Sequence, residues 1–211
     1  MIEQIKIGCA STKTTYGHRL DTTLVELNSD AKISGLFTSN KFKSAPVQIC
    51  LDQLEAKMKG KKMLAINAGN ANAATGKKGV SDAKKLIQEI SNLTNISTTQ
   101  ILPFSTGVVG QLLDVKQLSS AFNKCFKNLS KNSWDDFAKA IMTTDTKSKI
   151  IKLPFKAGSK KYHIVGIAKG VGMIEPNMAT TLSYVFTDLK IPELTLRKLH
   201  KRICDKTFNA I

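Results

Sequence analysis

A chain of 211 residues buries roughly 70% of the surface it would expose when unfolded, so a real core is expected, in one compact unit or one with a small appendage. No apolar run approaches the roughly 20 residues that cross a bilayer, and residues 1–10 lack the apolar stretch of a leader, so a soluble, cytoplasmic chain with no membrane partner is expected. The net charge of +16 suggests nucleic acid, but Arg19, Arg197 and Arg202 are the only arginines and the lysines are scattered without interleaved aromatics; solvated lysine-rich faces explain the charge better, and no nucleic-acid partner is expected.

In chain order, residues 22–27 and 33–38 read as short strands flanking an Asn-Ser-Asp turn and pairing as a hairpin. Pro46 sits in the first turn of a helix that runs to about Lys59. Residues 63–67 read as a buried strand. A Gly/Asn/Ala loop follows, and Ser81 or Asp82 caps a helix with Ala83, Leu86, Ile87 and Ile90 on one face. Residues 101–105 form a strand, 118–129 and 134–142 helices, and 150–155 with 162–168 a second hairpin. A strand covers 180–187, and Pro192 opens a last helix that directs Leu196, Leu199 and Ile203 inward. Strands and helices mixed without a strict βαβ rhythm place the chain in the α+β class, as a layered α/β sandwich with mixed sheets. Cys9, Cys50, Cys125 and Cys204 are widely spaced, with no CxxC pair and no nearby His in metal-finger spacing, so reduced, mostly buried thiols and no metal site are expected.

Three segments bear on chemistry. Residues 67–78 fail as a phosphate loop: six residues separate Gly69 from Gly76 where a Walker loop has four, and Lys78 stands where Ser or Thr should meet magnesium. Small residues here serve either close backbone packing or a substrate brought near exposed amides, and the sequence does not choose. Residues 105–107, Ser-Thr-Gly after a strand, offer a hydroxyl donor beside an unobstructed glycine amide, a pairing that suits an oxyanion and equally a plain strand-to-helix turn. The third segment, residues 165–182, sets Thr180 behind the small Ala179 at the end of a loop hinged at Gly170 and Gly172, with Pro176 restricting Glu175. That order suits a chain that cuts itself between Ala179 and Thr180. The freed α-amine, with a reference pKa of about 7.7–8.0, is then poised to act as base for its own hydroxyl. On local chemistry alone, a glycine turn feeding a strand is the commoner meaning of such a segment.

Residues 169–182, KGVGMIEPNMATTL, resemble the cleavage-site signature of the ornithine acetyltransferase family, the bifunctional glutamate N-acetyltransferases of arginine biosynthesis. Four further segments resemble the family in the expected order: TSNKFKSAPV at 38–47, NAGNANAATG at 67–76, STGVVG at 105–110 and TTDTKSK at 143–149. Ser148 departs from the Pro that many relatives carry.

The resemblance implies a self-cleaving, N-terminal-nucleophile type of fold, with residues 1–179 as the α-chain region and 180–211 as the start of the β-chain region. It implies Thr180 as nucleophile, Thr106 and Gly107 as oxyanion hole, and Thr143 and Lys169, with Thr180, as substrate-binding residues. The implied reaction moves an acetyl group from N-acetylornithine to Thr180 and then to glutamate. Acetyl-CoA is an alternative donor in some members, no cofactor is required, and an α2β2 heterotetramer is the implied assembly. Family β subunits are longer than residues 180–211, so a fragment of a longer protein is expected, with an inactive truncated product as the alternative. Asp145 reads as an N-cap or turn residue, and His18, His163 and His200 as structural or surface residues. Two other classes stay open: a self-processing aminopeptidase-type hydrolase, which needs no glutamate, and a basic, non-catalytic binding module.

Overall fold

Alternation along four strands decides the architecture. In the computed structural model, which describes residues 2–210 except 15, 131 and 173–180, β1 (Ile5–Ala10), β2 (Thr22–Leu27), β3 (Lys62–Asn70) and β4 (Ile101–Val108) form one sheet in that order. The first two pairings are antiparallel and β3–β4 is parallel. Successive side chains of a strand face opposite ways. Ile7, Val25, Leu64, Ile66 and Leu102 therefore enter one core, and Leu24, Met63, Ala65 and Ile101 the other.

Each core is closed by a different layer. Helices α1 (Ala45–Glu55), α2 (Gly76–Thr94) and α3 (Val115–Lys127) precede a short α4 (Trp134–Ala140). Leu86, Ile87 and Ile90 of α2 and Leu118, Phe122 and Cys125 of α3 cover one face of the sheet. The other face meets α4 and a second, antiparallel sheet of β5 (Lys149–Ala157), β6 (Lys160–Lys169) and β7 (Leu182–Thr187). Trp134 and Phe186 meet edge to face at 5.3 Å, and Phe137 lies 5.1 Å from Tyr184 between ring centres. Helix α5 (Glu193–Asp205) follows the second sheet. The result is an α+β layered sandwich of helices, mixed sheet and antiparallel sheet. The outer face of the second sheet stays apolar and open: Ile151, Gly166 and Val185 share one row, and Ile151, Leu153 and Val185 are all exposed.

Several local expectations shift. Residues 33–38 form no strand; β2 pairs with β1 and β3, as its burial on both faces requires. Strand β1 is absent from the sequence-based element list, and Gly8 weakens its strand signal. A Cβ there would stand 1.9 Å from the carbonyl oxygen of Cys125, so the glycine is what lets α3 lie on the sheet. Helix α2 begins at Gly76, ahead of the expected cap at Ser81 or Asp82. The glycines that disguise this first turn are demanded by packing, since a Cβ on Gly79 would strike Thr75 and Asn72. In α5, Leu196 and Leu199 are half-buried as expected, together with His200, and Cys204 is buried, while Ile203 is exposed. All four cysteines are free and buried, and burial pushes the Cys9 thiol up to about 12.

Phe137→Ala should lower unfolding free energy by about 3–5 kcal/mol, because it empties the ring position shared with Tyr184 and Phe186. A urea-denaturation series that shows less than about 1 kcal/mol would refute this placement of the core.

Candidate functional site

Strands β3 and β4 run parallel, so their C-terminal ends open on the same edge. Gly69 stands opposite Gly107 there, at a bulge beside Asn70. Both glycines have positive φ, +109° and +131°. A Cβ on Gly107 would sit 2.3 Å from the carbonyl carbon of Gly69 and 2.7 Å from the amide nitrogen of Asn70, so backbone packs on backbone at this point.

The end of β3 and the Gly/Asn/Ala loop after it spend their asparagine side chains on scaffolding. Asn67 donates to the carbonyl of Asn70 and accepts from Ser105 Oγ. Asn70 donates to the carbonyls of Gln111 and Leu112, and fully buried Asn72 donates to that of Gly79. The ambiguity left by the sequence thus resolves, for these three amides, toward structure: they hold the 105–112 turn and the first turn of α2 in place.

Across from β4 lies the end of β6. The Lys169 ammonium is buried and donates to Thr106 Oγ1 at 3.0 Å. Burial pushes the Lys169 amine down from its ordinary value, the Asp145 carboxylate draws it back up, and Lys149 pushes it down again. Because the ammonium only donates, Thr106 Oγ1 is the acceptor here, and the hydroxyl proton is directed elsewhere. Asp145 is buried too. It accepts from the amide of Gly170 at 3.0 Å, the amide of Thr143 at 3.3 Å and the Lys149 ammonium at 2.6 Å. Burial pushes its carboxyl up, but the bonds from Lys149, Gly170 and Thr143 outweigh that and hold it below the ordinary carboxylate value. From the far side, the Arg19 guanidinium donates to the carbonyls of Met142 and Thr143.

The structure brings Thr106, Lys169 and the Thr143 turn into one bonded cluster, with Gly107 next to Thr106. Ala179 and Thr180 lie outside the described residues. Thr181, the next residue in sequence, faces Gly170: a Cβ on that glycine would come within 3.1 Å of Thr181 Oγ1, and Lys169 pairs with Leu182 across β6 and β7. Sequence reasoning passed over Asp145, Lys149 and Arg19. The TTDTKSK motif contains the first two, and the scarcity of arginine was the one signal for the third.

Histidine plays no part in this cluster. His163 pairs with Asp188, His200 with Ser34, and His18 is exposed. Among the described residues no group of three or more His, Cys, Asp and Glu side chains is arranged to hold a metal, and no helix is long and apolar enough to cross a membrane. The cluster can therefore seat a carboxylate on a buried cation beside a hydroxyl donor.

Comparison with known proteins places these features. The family model for the ArgJ family matches residues 4–211. "Arginine biosynthesis bifunctional protein ArgJ" of Colwellia psychrerythraea is 39% identical over the whole chain, and that of Methylococcus capsulatus 36% identical. The chain spans about half the length of these curated relatives, 52% and 51%. Among solved structures, the arginine biosynthesis bifunctional protein argJ of Bacillus halodurans superposes with a TM-score of 0.73 at 27% identity, covering 84% of this chain and 92% of that one. The ornithine acetyltransferase of Mycobacterium tuberculosis, solved in complex with ornithine, superposes at 0.69 with 25% identity, covering 82% of this chain and 91% of that one.

Gly107→Ala should destabilise the protein by about 1–3 kcal/mol, since backbone atoms of Gly69 and Asn70 cannot yield as a flexible side chain would. Thermal unfolding of the variant at the wild-type midpoint would contradict the close approach described here.

Proposed function

The chain belongs to the ArgJ family, and from that premise we propose that it performs acetyl transfer from N-acetylornithine to glutamate through an acetyl-threonine intermediate on Thr180. The observation that carries the reading is the bond from Lys169 to Thr106. It sets a buried cation suited to an amino-acid carboxylate against a hydroxyl whose proton is left to point at substrate.

The proposed chemistry starts with the cut between Ala179 and Thr180, which turns residues 1–179 into the α piece and frees the Thr180 amine. That amine takes the Thr180 hydroxyl proton as the oxygen attacks the acetyl carbonyl of N-acetylornithine. Thr106 and Gly107 donate to the resulting oxyanion, an arrangement whose loss typically lowers rate by about 100- to 1000-fold per donor. The C–N bond breaks and ornithine leaves with the proton held on the Thr180 amine; the glutamate amine then attacks the ester carbonyl, the C–O bond to Thr180 breaks, and the proton the glutamate amine sheds passes through the Thr180 amine back to the hydroxyl. Lys169 and Thr143 hold the amino-acid end of each substrate. Covalent exchange of this kind gives ping-pong kinetics.

Lengths support the split. The chains of the two solved relatives are matched almost end to end by a chain that spans only about half of the curated full-length relatives. The open apolar face of the second sheet offers a seat for the rest of an α2β2 assembly.

Intact mass of a full-length form should show two pieces, one ending at Ala179 and one beginning at Thr180, and labelled acetyl should appear on Thr180. Thr180→Ala should stay undivided and transfer nothing. A wild-type protein that remains whole while fully active would end the proposal, and release of acetate without any dependence on glutamate would favour the hydrolase instead.

A further inference from the structure

We infer that Asp145 is a positioning residue that fixes the Thr143 turn against the Lys169–Gly170 end of β6, so that both proposed substrate contacts keep one separation. The inference rests on the reading above in that it takes Thr143 and Lys169 as the groups that meet substrate.

The geometry is that of a three-way clasp. One carboxylate oxygen receives the Gly170 amide and the Lys149 ammonium, and the other receives the Thr143 amide. The side chain is 1% exposed, so each bond is made away from water, where a lost partner is felt in full. Gly170 and Thr143 are 27 positions apart in sequence, one just after β6 and the other ahead of β5 at the open end of the hairpin; no ladder bond of that hairpin ties residue 143 to it, since the pairing begins at Lys149. The carboxylate makes the tie instead. Arg19 completes the grip by holding the carbonyls of Met142 and Thr143, so the turn is fixed through its donors on one side and its acceptors on the other.

Among the described residues, the charged and titratable groups around Asp145 are Lys149 at the start of β5, Lys169 at the end of β6, and Tyr16 with Arg19 from the β1–β2 connection. Since the carboxyl is held below its ordinary value, the clasp is complete above that value and opens only as pH falls through the depressed one. Lys149 is half exposed and supplies charge without touching either tied amide, which separates its role from that of the carboxylate.

In the full-length protein, Asp145→Asn should raise KM for N-acetylornithine about tenfold while kcat changes by less than about twofold, the size expected from one charge-assisted hydrogen bond that serves binding. Amide hydrogen exchange at Gly170 and Thr143 should quicken together. An unchanged KM in a folded variant, or unchanged exchange at either amide, would overturn the inference. If Asp145→Asn does not fold, Lys149→Met decides: it leaves both amide bonds and raises the carboxyl pKa, so the acid-side rise in KM should set in at higher pH, and an unmoved onset overturns the inference. A wild-type protein without transfer activity defeats the reading under Proposed function alone, because the exchange measurement still tests the clasp.

Discussion

An ammonium buried between two sheets is the constraint around which this molecule is arranged. Lys169 reaches from the last residue of β6 to Thr106 near the end of β4, and the desolvation of a cation at that depth requires an oxygen ligand within reach and negative charge close by. The first need ties the antiparallel sheet to the mixed one at the edge where both end. Asp145 meets the second, and its own burial is tolerable because two amides and a lysine face it. Removing Asp145 would take from Lys169 the negative charge that draws its pKa back up, whereas Asp145 keeps the Lys149 ammonium beside it whatever happens to Lys169.

Backbone geometry supplies the floor of the same site. Gly107 faces Gly69 across parallel strands with no room for a side chain of its own, and both glycines take positive φ there. The asparagines that follow do the work of a scaffold. Their amides hold carbonyls of the neighbouring turn and of the first turn of α2, so the loop is polar in composition yet spends that polarity internally. Placement of Thr106 follows from this network, because β3 holds the 105–112 segment both by its ladder with β4 and by the side chains of Asn67 and Asn70.

The surplus of lysine has a quieter meaning than its total suggests. Lys78, Lys149, Lys152 and Lys201 pair with single carboxylates, and among the described residues only Lys62 and Lys169 are buried lysines. Lys62 satisfies its charge on the carbonyls of Ser29 and Gly60 and so closes a turn. The two buried lysines are placed by backbone and hydroxyl oxygens, whereas the pairs exposed on both sides, Lys152–Asp135 and Lys201–Asp205, add little to stability.

Much of this could be read from residues alone. The β-branched and aliphatic runs at β3, β4, β6 and β7 announced strands, the apolar spacing of Ala83, Leu86, Ile87 and Ile90 announced the inner face of α2, and the five motifs carried the family. Those signals are local, because alternation and helical spacing are properties of a few consecutive side chains. What lay beyond them was long-range. The purpose of Gly8 shows only against Cys125, whose carbonyl excludes a Cβ there, and Asp145 read as an N-cap or turn residue until Gly170 arrived from 25 positions away. Arg19 finds its carbonyls 123 and 124 positions on. Residue identity determined which groups were available to be buried, charged or bonded; only the folded chain decided which of them meet, since a hydrogen bond needs its partners within about 3 Å and no spacing along the sequence encodes that distance.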